Sequence, residues 1–165
     1  MDKRAIRQSR GEDFARIYFI INEAAKAYQG VIPPDCYRQP YMSRKDLEKE
    51  IGRITFYGWE ESGELVGVMG IEPVKDVTLI RHAYILPEWQ RHGIGRKLLI
   101  FLMTKVRTPR LLVGTWAAVW WAVAFYEKHG FKLTADKDEL LRTYWDISER
   151  QVETSVVLEM AQIKS

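Results

Sequence analysis

The sequence predicts a single mixed α/β domain over residues 1–165. Three observations carry that prediction. Apolar residues switch along the chain between strict alternation and helical spacing. Three strand-like segments in the middle are separated by turns alone, as in a meander. The later ones are separated by helical stretches, which makes crossovers. The length suits one core, since domains commonly hold about 100–150 residues.

The elements read in the order β-α-α-β-β-β-α-β-α-β-β. Residues 4–8 form a short first strand. Ser9 and Glu12 stand at capping-box spacing. Behind them Phe14, Ile17, Tyr18, Ile21, Ala24, Ala25 and Tyr28 recur at helical intervals, which predicts an amphipathic helix over 11–29, closed by Gly30. A loop with Pro33, Pro34 and Pro40 runs from Gly30 to Met42, and loops of that length are often functional. Ser43 opens a short charged helix whose apolar contacts are Leu47 and Ile51. Strands over 54–59 and 65–71 flank a turn at 60–64. A third strand, 77–86, is mostly apolar, as expected when both faces are covered, and Pro87 ends it. A helix over 94–106, a buried strand over 111–115 and a helix over 118–129 ended by Gly130 follow. In the tail, residues 136–139 start a short helix carrying Leu140, Leu141, Tyr144 and Trp145, and residues 154–160 alternate as a closing strand.

Composition narrows the function. Lys and Arg number 25 against 22 Asp and Glu, too even a balance to argue for a nucleic-acid partner. Cys36 is the single cysteine, so the chain has neither an internal disulfide nor a cysteine-rich zinc site. Residues 1–7 lack the apolar run of a secretory signal. The longest uncharged run, 111–126, is shorter than the roughly 18–20 residues that span a bilayer. The expectation is a cytoplasmic protein with no membrane or nucleic-acid partner and no metal.

The segment that carries chemistry is Tyr84-Ile85-Leu86-Pro87-Glu88-Trp89-Gln90-Arg91-His92-Gly93-Ile94-Gly95-Arg96-Lys97. A buried strand stops at a proline, glycines let the backbone approach a ligand, and a helix starts at once. The free N–H groups and positive dipole end of that helix make an anion site, and Arg91, Arg96 and Lys97 surround it with charge. The physical reading is a pyrophosphate cradle. It is not a Walker loop, because Gly-Lys-Ser/Thr is absent, nor a dinucleotide fingerprint, because only Gly93 and Gly95 are present.

Gln90-x-x-Gly93-x-Gly95 after Ile85-Leu86-Pro87 resembles the acyl-CoA signature of the GCN5-related N-acetyltransferases, the GNAT superfamily. The segment Ala122-Val123-Ala124-Phe125-Tyr126-Glu127-Lys128-His129-Gly130-Phe131 resembles that family's second signature. The resemblance implies a twisted, mostly antiparallel mixed sheet with helices on both faces. It also implies a splayed parallel strand pair that binds acetyl-CoA, the acyl donor. By that similarity, backbone around Tyr84, Ile85 and Leu86 pairs with the pantetheine arm, and Gln90 belongs to the same signature. The amides of Arg91, His92, Gly93, Ile94, Gly95 and Arg96 then hold the pyrophosphate. The implied reaction is acetyl transfer to a primary amine, that of a small molecule. A protein or peptide amine and a non-catalytic acyl-CoA sensor are the alternatives. Homodimers, through the final strand or the tail, are frequent in the family.

Aminolysis of a thioester needs a neutral amine, an aligned carbonyl and a proton for the departing thiolate. The family's tyrosine falls on Tyr126, whose phenol is protonated at neutral pH and donates well. The general base is left between His82, on the third meander strand, and Glu72, at the end of the strand before it. Alternation puts Arg81 and Ala83 on one face and His82 and Tyr84 on the other unless a bulge intervenes. Arg81 is a candidate for an acidic substrate group. Asp35, Tyr37 and Tyr41, in the loop between the first two helices, are candidates for the acceptor wall. The family's asparagine seven residues before the tyrosine is replaced by Val119, next to Trp120 and Trp121; Trp121 is a candidate cofactor contact.

Overall fold

The computed structural model describes residues 5–160. Its strands are β1 (Ile6–Gln8), β2 (Thr55–Glu61), β3 (Glu64–Val74), β4 (Val77–Ile85), β5 (Arg110–Trp116), β6 (Phe131–Leu133) and β7 (Ser155–Met160). Its α-helices are α1 (Phe14–Ala25), α2 (Arg44–Ile51), α3 (Ile94–Met103), α4 (Trp120–Lys128), α5 (Lys137–Tyr144) and α6 (Glu149–Thr154). The strands make one sheet in the order β1-β2-β3-β4-β5-β7-β6. Among the described residues only β4 and β5 pair in parallel. The fold is therefore the mixed, mostly antiparallel α/β sheet that the sequence predicts.

Element ends differ where side chains take over from pattern. The first helix does not start at a Ser9–Glu12 box. Asp13 closes that turn instead: its carboxylate accepts from the Arg10 amide at 2.6 Å and from both ends of the Arg7 guanidinium at 2.8 and 3.0 Å. Ser43 does cap α2, accepting from the Asp46 amide at 3.1 Å. The β2–β3 turn shrinks to Ser62-Gly63, both at positive φ, so Glu60 and Glu61 join the ladder. The tail holds a helix that periodicity does not reveal, α6, capped by Ser148 accepting from the Gln151 amide at 3.1 Å. Arg4 lies outside the described residues.

Register and contacts place the helices. Tyr57 and Met69 face each other across β2 and β3, and Tyr57 packs on Phe101 of α3. Tyr126 of α4 packs on Phe131, whose partner Met160 also opposes Leu111, so α4 shares that side. On the other face Val77, Leu79, Leu112 and Val157 bury against Leu140, Leu141 and Val152 of α5 and α6. Glu72 and Arg81 share this second face, and Glu50 of α2 reaches Arg81. Helices thus cover both faces. β7 runs between β5 and β6, paired on both sides. The last strand is flanked by β6 only from Leu158 to Met160.

Two features of β4 create the site. Its parallel pairing with β5 ends at Ile80 and Val113, after which β5 stays with β7 and β4 stays with β3. At the same point β4 bulges: between the pairs Val68–Tyr84 and Gly70–Arg81, the single residue Met69 opposes both His82 and Ala83. His82 sits at φ 53°, a conformation that histidine tolerates better than most residues. The strand read as covered on both faces is so only from Val77 to Ile80; from Arg81 onward it lines a cleft.

Candidate active site

Leu86 donates its amide to Val66 at 2.9 Å and then the chain leaves the sheet at Pro87. The turn that follows is held by its own side chains. Gln90 Nε2 donates to the Ile85 carbonyl at 3.1 Å, and His92 Nδ1–H donates to the carbonyls of Trp89 and Gln90 at 3.0 and 2.9 Å. Arg91 and Gly93 both take positive φ, 67° and 77°, so consecutive amides turn toward one concavity. Gly93 is the N-cap of α3, and a Cβ built on it meets nothing within 4 Å. The space that a side chain would fill is open in front of the helix N-terminus, which suits an anionic group. Leu86 and Ile94 are core side chains, so they bring only main chain to this cradle. Arg91, His92 and Arg96 are exposed around it.

A cleft of about 580 Å³ runs from this cradle along the splay, between Ile85, Gln90, Arg91 and Gly95 on one side and Trp121 and Tyr126 on the other. Trp120, 70% exposed, stands at its rim. A second cavity, of about 140 Å³, lies on the β5 side of the splay. The two share Tyr28, Ala83, Tyr84, Ala122 and Tyr126. Tyr126 therefore stands at their junction. Its ring is packed by Phe125 and Phe131, and burial raises its pKa, so the phenol keeps its proton. Its hydroxyl has no hydrogen-bond partner among the described residues, yet no such polar atom is sealed from solvent. The hydroxyl thus opens into the joined cavities.

The β5-side cavity carries an aromatic wall. Tyr28 and Tyr84 meet hydroxyl to hydroxyl at 3.4 Å, and Trp116 Nε1 donates to Tyr41 at 2.7 Å. Tyr41 is the one predicted acceptor-loop residue that lines this cavity. Tyr37 packs instead beside Ile32 and Val119 and accepts from Gln39 at 3.0 Å. Asp35 lies on the surface, bound by both arms of Arg150 at 2.9 and 3.1 Å, and lines neither cavity.

Behind the bulge lies a charge network. Glu72 Oε1 accepts from Arg81 at 2.7 Å and its Oε2 from Arg53 at 3.2 Å. Glu50 Oε1, on α2, accepts from Arg81 at 2.9 Å and lies 2.6 Å from His82 Nε2. Burial opposes the charge on Glu50, but His82, Arg81 and Arg53 outweigh it and hold its pKa below the ordinary carboxylate range. A carboxylate only accepts, so the neutral imidazole carries its proton on Nε2 and leaves Nδ1 bare. Arg81 and His82 line the β5-side cavity; Glu72 does not. Alternation separates Arg81 from His82, but the bulge returns both to one carboxylate.

Glu50 escaped sequence reading, because nothing local ties a helix residue to a strand residue 32 positions on. The tail residues Trp145, Gln151 and Ser155, which line the cavity, escaped too. The Ser148-x-x-Gln151 spacing, a capping signature, was the available signal for α6. Val119 is fully buried beside Ile32 and Trp116, so the position of the family's asparagine belongs to the core here. Among the described residues, no three His, Cys, Asp or Glu side chains cluster as metal ligands, and no helix is long and apolar enough to cross a membrane.

A β4 bulge, a splayed parallel pair and an amide cradle at a helix N-terminus define the class of acyltransferase folds built on such a cleft. The family model described as acetyltransferase (GNAT) domain matches residues 52–133, a span that includes the splay, the cradle and Tyr126. Residues 52–133 are thus a GNAT acetyltransferase domain. Solved structures share the fold over nearly the whole chain. The PaiA N-acetyltransferase of Thermoplasma acidophilum, solved with coenzyme A, is 20% identical with a TM-score of 0.72, covering 95% of this chain and 98% of that one. An acetyltransferase of Streptococcus agalactiae is 16% identical with a TM-score of 0.74, at 95% and 97% coverage. The ribosomal-protein-S18-alanine N-acetyltransferase of Escherichia coli is 20% identical with a TM-score of 0.67, at 94% and 91% coverage.

Proposed function

We propose that this protein transfers an acetyl group from acetyl-CoA to the primary amine of a small molecule by direct attack. The observation that carries the reading is Tyr126: a hydroxyl kept protonated by burial, without a hydrogen-bond partner among the described residues, at the junction of the two cavities. The larger cleft starts at the amide cradle and takes the donor, with pyrophosphate at Gly93 and the α3 N-terminus and the pantetheine arm along Tyr84 and Ile85. The smaller cavity takes the acceptor. In the reaction the amine nitrogen bonds to the thioester carbonyl carbon and the carbon–sulfur bond breaks. His82 Nδ1 takes the amine proton, directly or through water, and Tyr126 gives its proton to the thiolate. Glu72 is held between two arginines and lines neither cavity, which favours His82 as the base.

A cavity of about 140 Å³, partly roofed by Trp145 and Ile147, favours a small acceptor over a protein terminus. The experiment is titration with acetyl-CoA and CoA, followed by a screen of amines for thiol release. Selective binding and turnover support the reading. Binding without turnover on any amine or N-terminal peptide assigns the protein as an acyl-CoA sensor. Absence of binding removes the donor site.

A further inference from the structure

The β5-side cavity has an unusual charge balance. Among the described residues that line it there is no carboxylate, and its ionisable groups other than tyrosine are Arg81 and His82. Arg81 is engaged, donating to Glu72 at 2.7 Å and to Glu50 at 2.9 Å. The wall therefore offers no anion for a second ammonium and no free cation for a carboxylate. The acids that touch lining residues, Glu50 and Glu72, lie outside the lining and are engaged with Arg81, His82 and Arg53, while Asp35 and Glu153 both pair with Arg150. Asp146, between two lining residues, is exposed.

The hydrogen-bonding capacity is uncharged instead. Thr115, Gln151 and Ser155 line the cavity, and none of their side chains has a hydrogen-bond partner among the described residues. Ser155 is only 5% exposed, and no partnerless side-chain polar atom is sealed, so its hydroxyl opens into the cavity. A hydroxyl this buried is normally paired, and a ligand group is the partner that the cavity can supply. Size is the second constraint. A protein cavity of about 150 Å³ admits benzene, so about 140 Å³ admits a body of about six non-hydrogen atoms.

From these features we infer that the acceptor is a short amino alcohol: one primary amine on a compact body that carries hydroxyl rather than a second charge. The inference rests on the acetyl-transfer reading above and specifies its substrate. Its amine faces Tyr126 and His82, and its hydroxyl pairs with Ser155, Thr115 or Gln151.

The test compares four size-matched acceptors with the full chain and acetyl-CoA: straight-chain aminopropanol, butylamine, diaminopropane and β-alanine. They differ in a terminal hydroxyl, methyl, ammonium or carboxylate. The expected kcat/KM for aminopropanol exceeds each of the others by at least about tenfold, because a site built for a hydroxyl penalises its absence. Ser155→Ala and Thr115→Val should each cut the ratio of aminopropanol to butylamine by about fivefold, the loss of one hydrogen bond. A merely structural role would lower both amines alike and leave the ratio intact, and that result overturns the assignment of the hydroxyl's partners. Preference for any of the other three acceptors overturns the inference while acetyl transfer stands. Turnover of none of them also overturns it, and a failed acetyl-CoA titration then removes the transfer reading as well.

Discussion

Glu50 Oε1 lies 2.6 Å from His82 Nε2, so a carboxylate on α2 holds the imidazole that stands at the β4 bulge. The contact decides which ring nitrogen carries the proton, and hence which one is left bare. Glu50→Gln keeps an amide oxygen that can accept from Nε2–H, whereas Glu50→Ala keeps nothing. The kcat should fall in the order wild type, Gln, Ala, with the alanine variant down by about 10–100-fold and acetyl-CoA affinity unaltered. Steady-state rates with calorimetric titration check this; equal rates in all three would remove Glu50 as the positioning group.

Tyr126→Phe preserves the ring packing on Phe125 and Phe131 and removes only the proton donor. Turnover should drop by about 100-fold or more, the usual worth of a general acid, while acetyl-CoA binds as before. Unchanged thiol release would exclude Tyr126 as the acid.

Gly93→Asp puts a carboxylate where the cradle presents N–H groups, at φ 77°. Acetyl-CoA affinity should fall by at least about 100-fold from repulsion and lost access. Gly93→Ala isolates the backbone strain, about 1–2 kcal/mol of stability, since its Cβ meets no protein atom. Retained affinity in the aspartate variant would show that the pyrophosphate site lies elsewhere.

Val119→Asn restores the residue common in the family but into a fully buried position. The amide would be left without partners beside Ile32 and Trp116. Stability should fall by about 2–3 kcal/mol, with no gain in acetyl-CoA affinity. Chemical denaturation and titration together test it; tighter binding would mean that the side chain reaches the cleft.

Asp13 and Glu50 are both held below the ordinary carboxylate range: Asp13 chiefly by the hydrogen bonds it accepts from Arg7, and Glu50 by His82, Arg81 and Arg53, which outweigh the opposing effect of burial. A depressed native pKa adds stability that is present above the unfolded value, about 4, and is lost as pH falls through the native value. The melting temperature should therefore hold from neutral pH to about pH 5 and decline below about pH 4. Asp13→Asn and Glu50→Gln should each flatten that decline. A decline of equal depth in both variants would place the acid-labile groups elsewhere.

What the sequence determined by itself is what short stretches of chain decide. Apolar periodicity located α1, α3 and the meander strands, because burial of one face acts residue by residue. The turn Gln90 to Gly95 was legible because a left-handed backbone followed directly by a helix needs glycine in place, and Tyr126 was legible through its signature. Tertiary structure decided the rest. The bulge at His82 depends on how Met69 is opposed across the ladder, and alternation along β4 carries no trace of it. Glu50 and Arg81 meet over 31 positions, and Asp35 and Arg150 over 115. Val119 could be placed in the core only once α4 was seated against Ile32 and Trp116. The β5-side cavity exists because α5 and α6 fold back over the splayed end of β5. A local pattern states which face of an element is buried, but the closing of a cavity depends on which distant elements arrive to bury it.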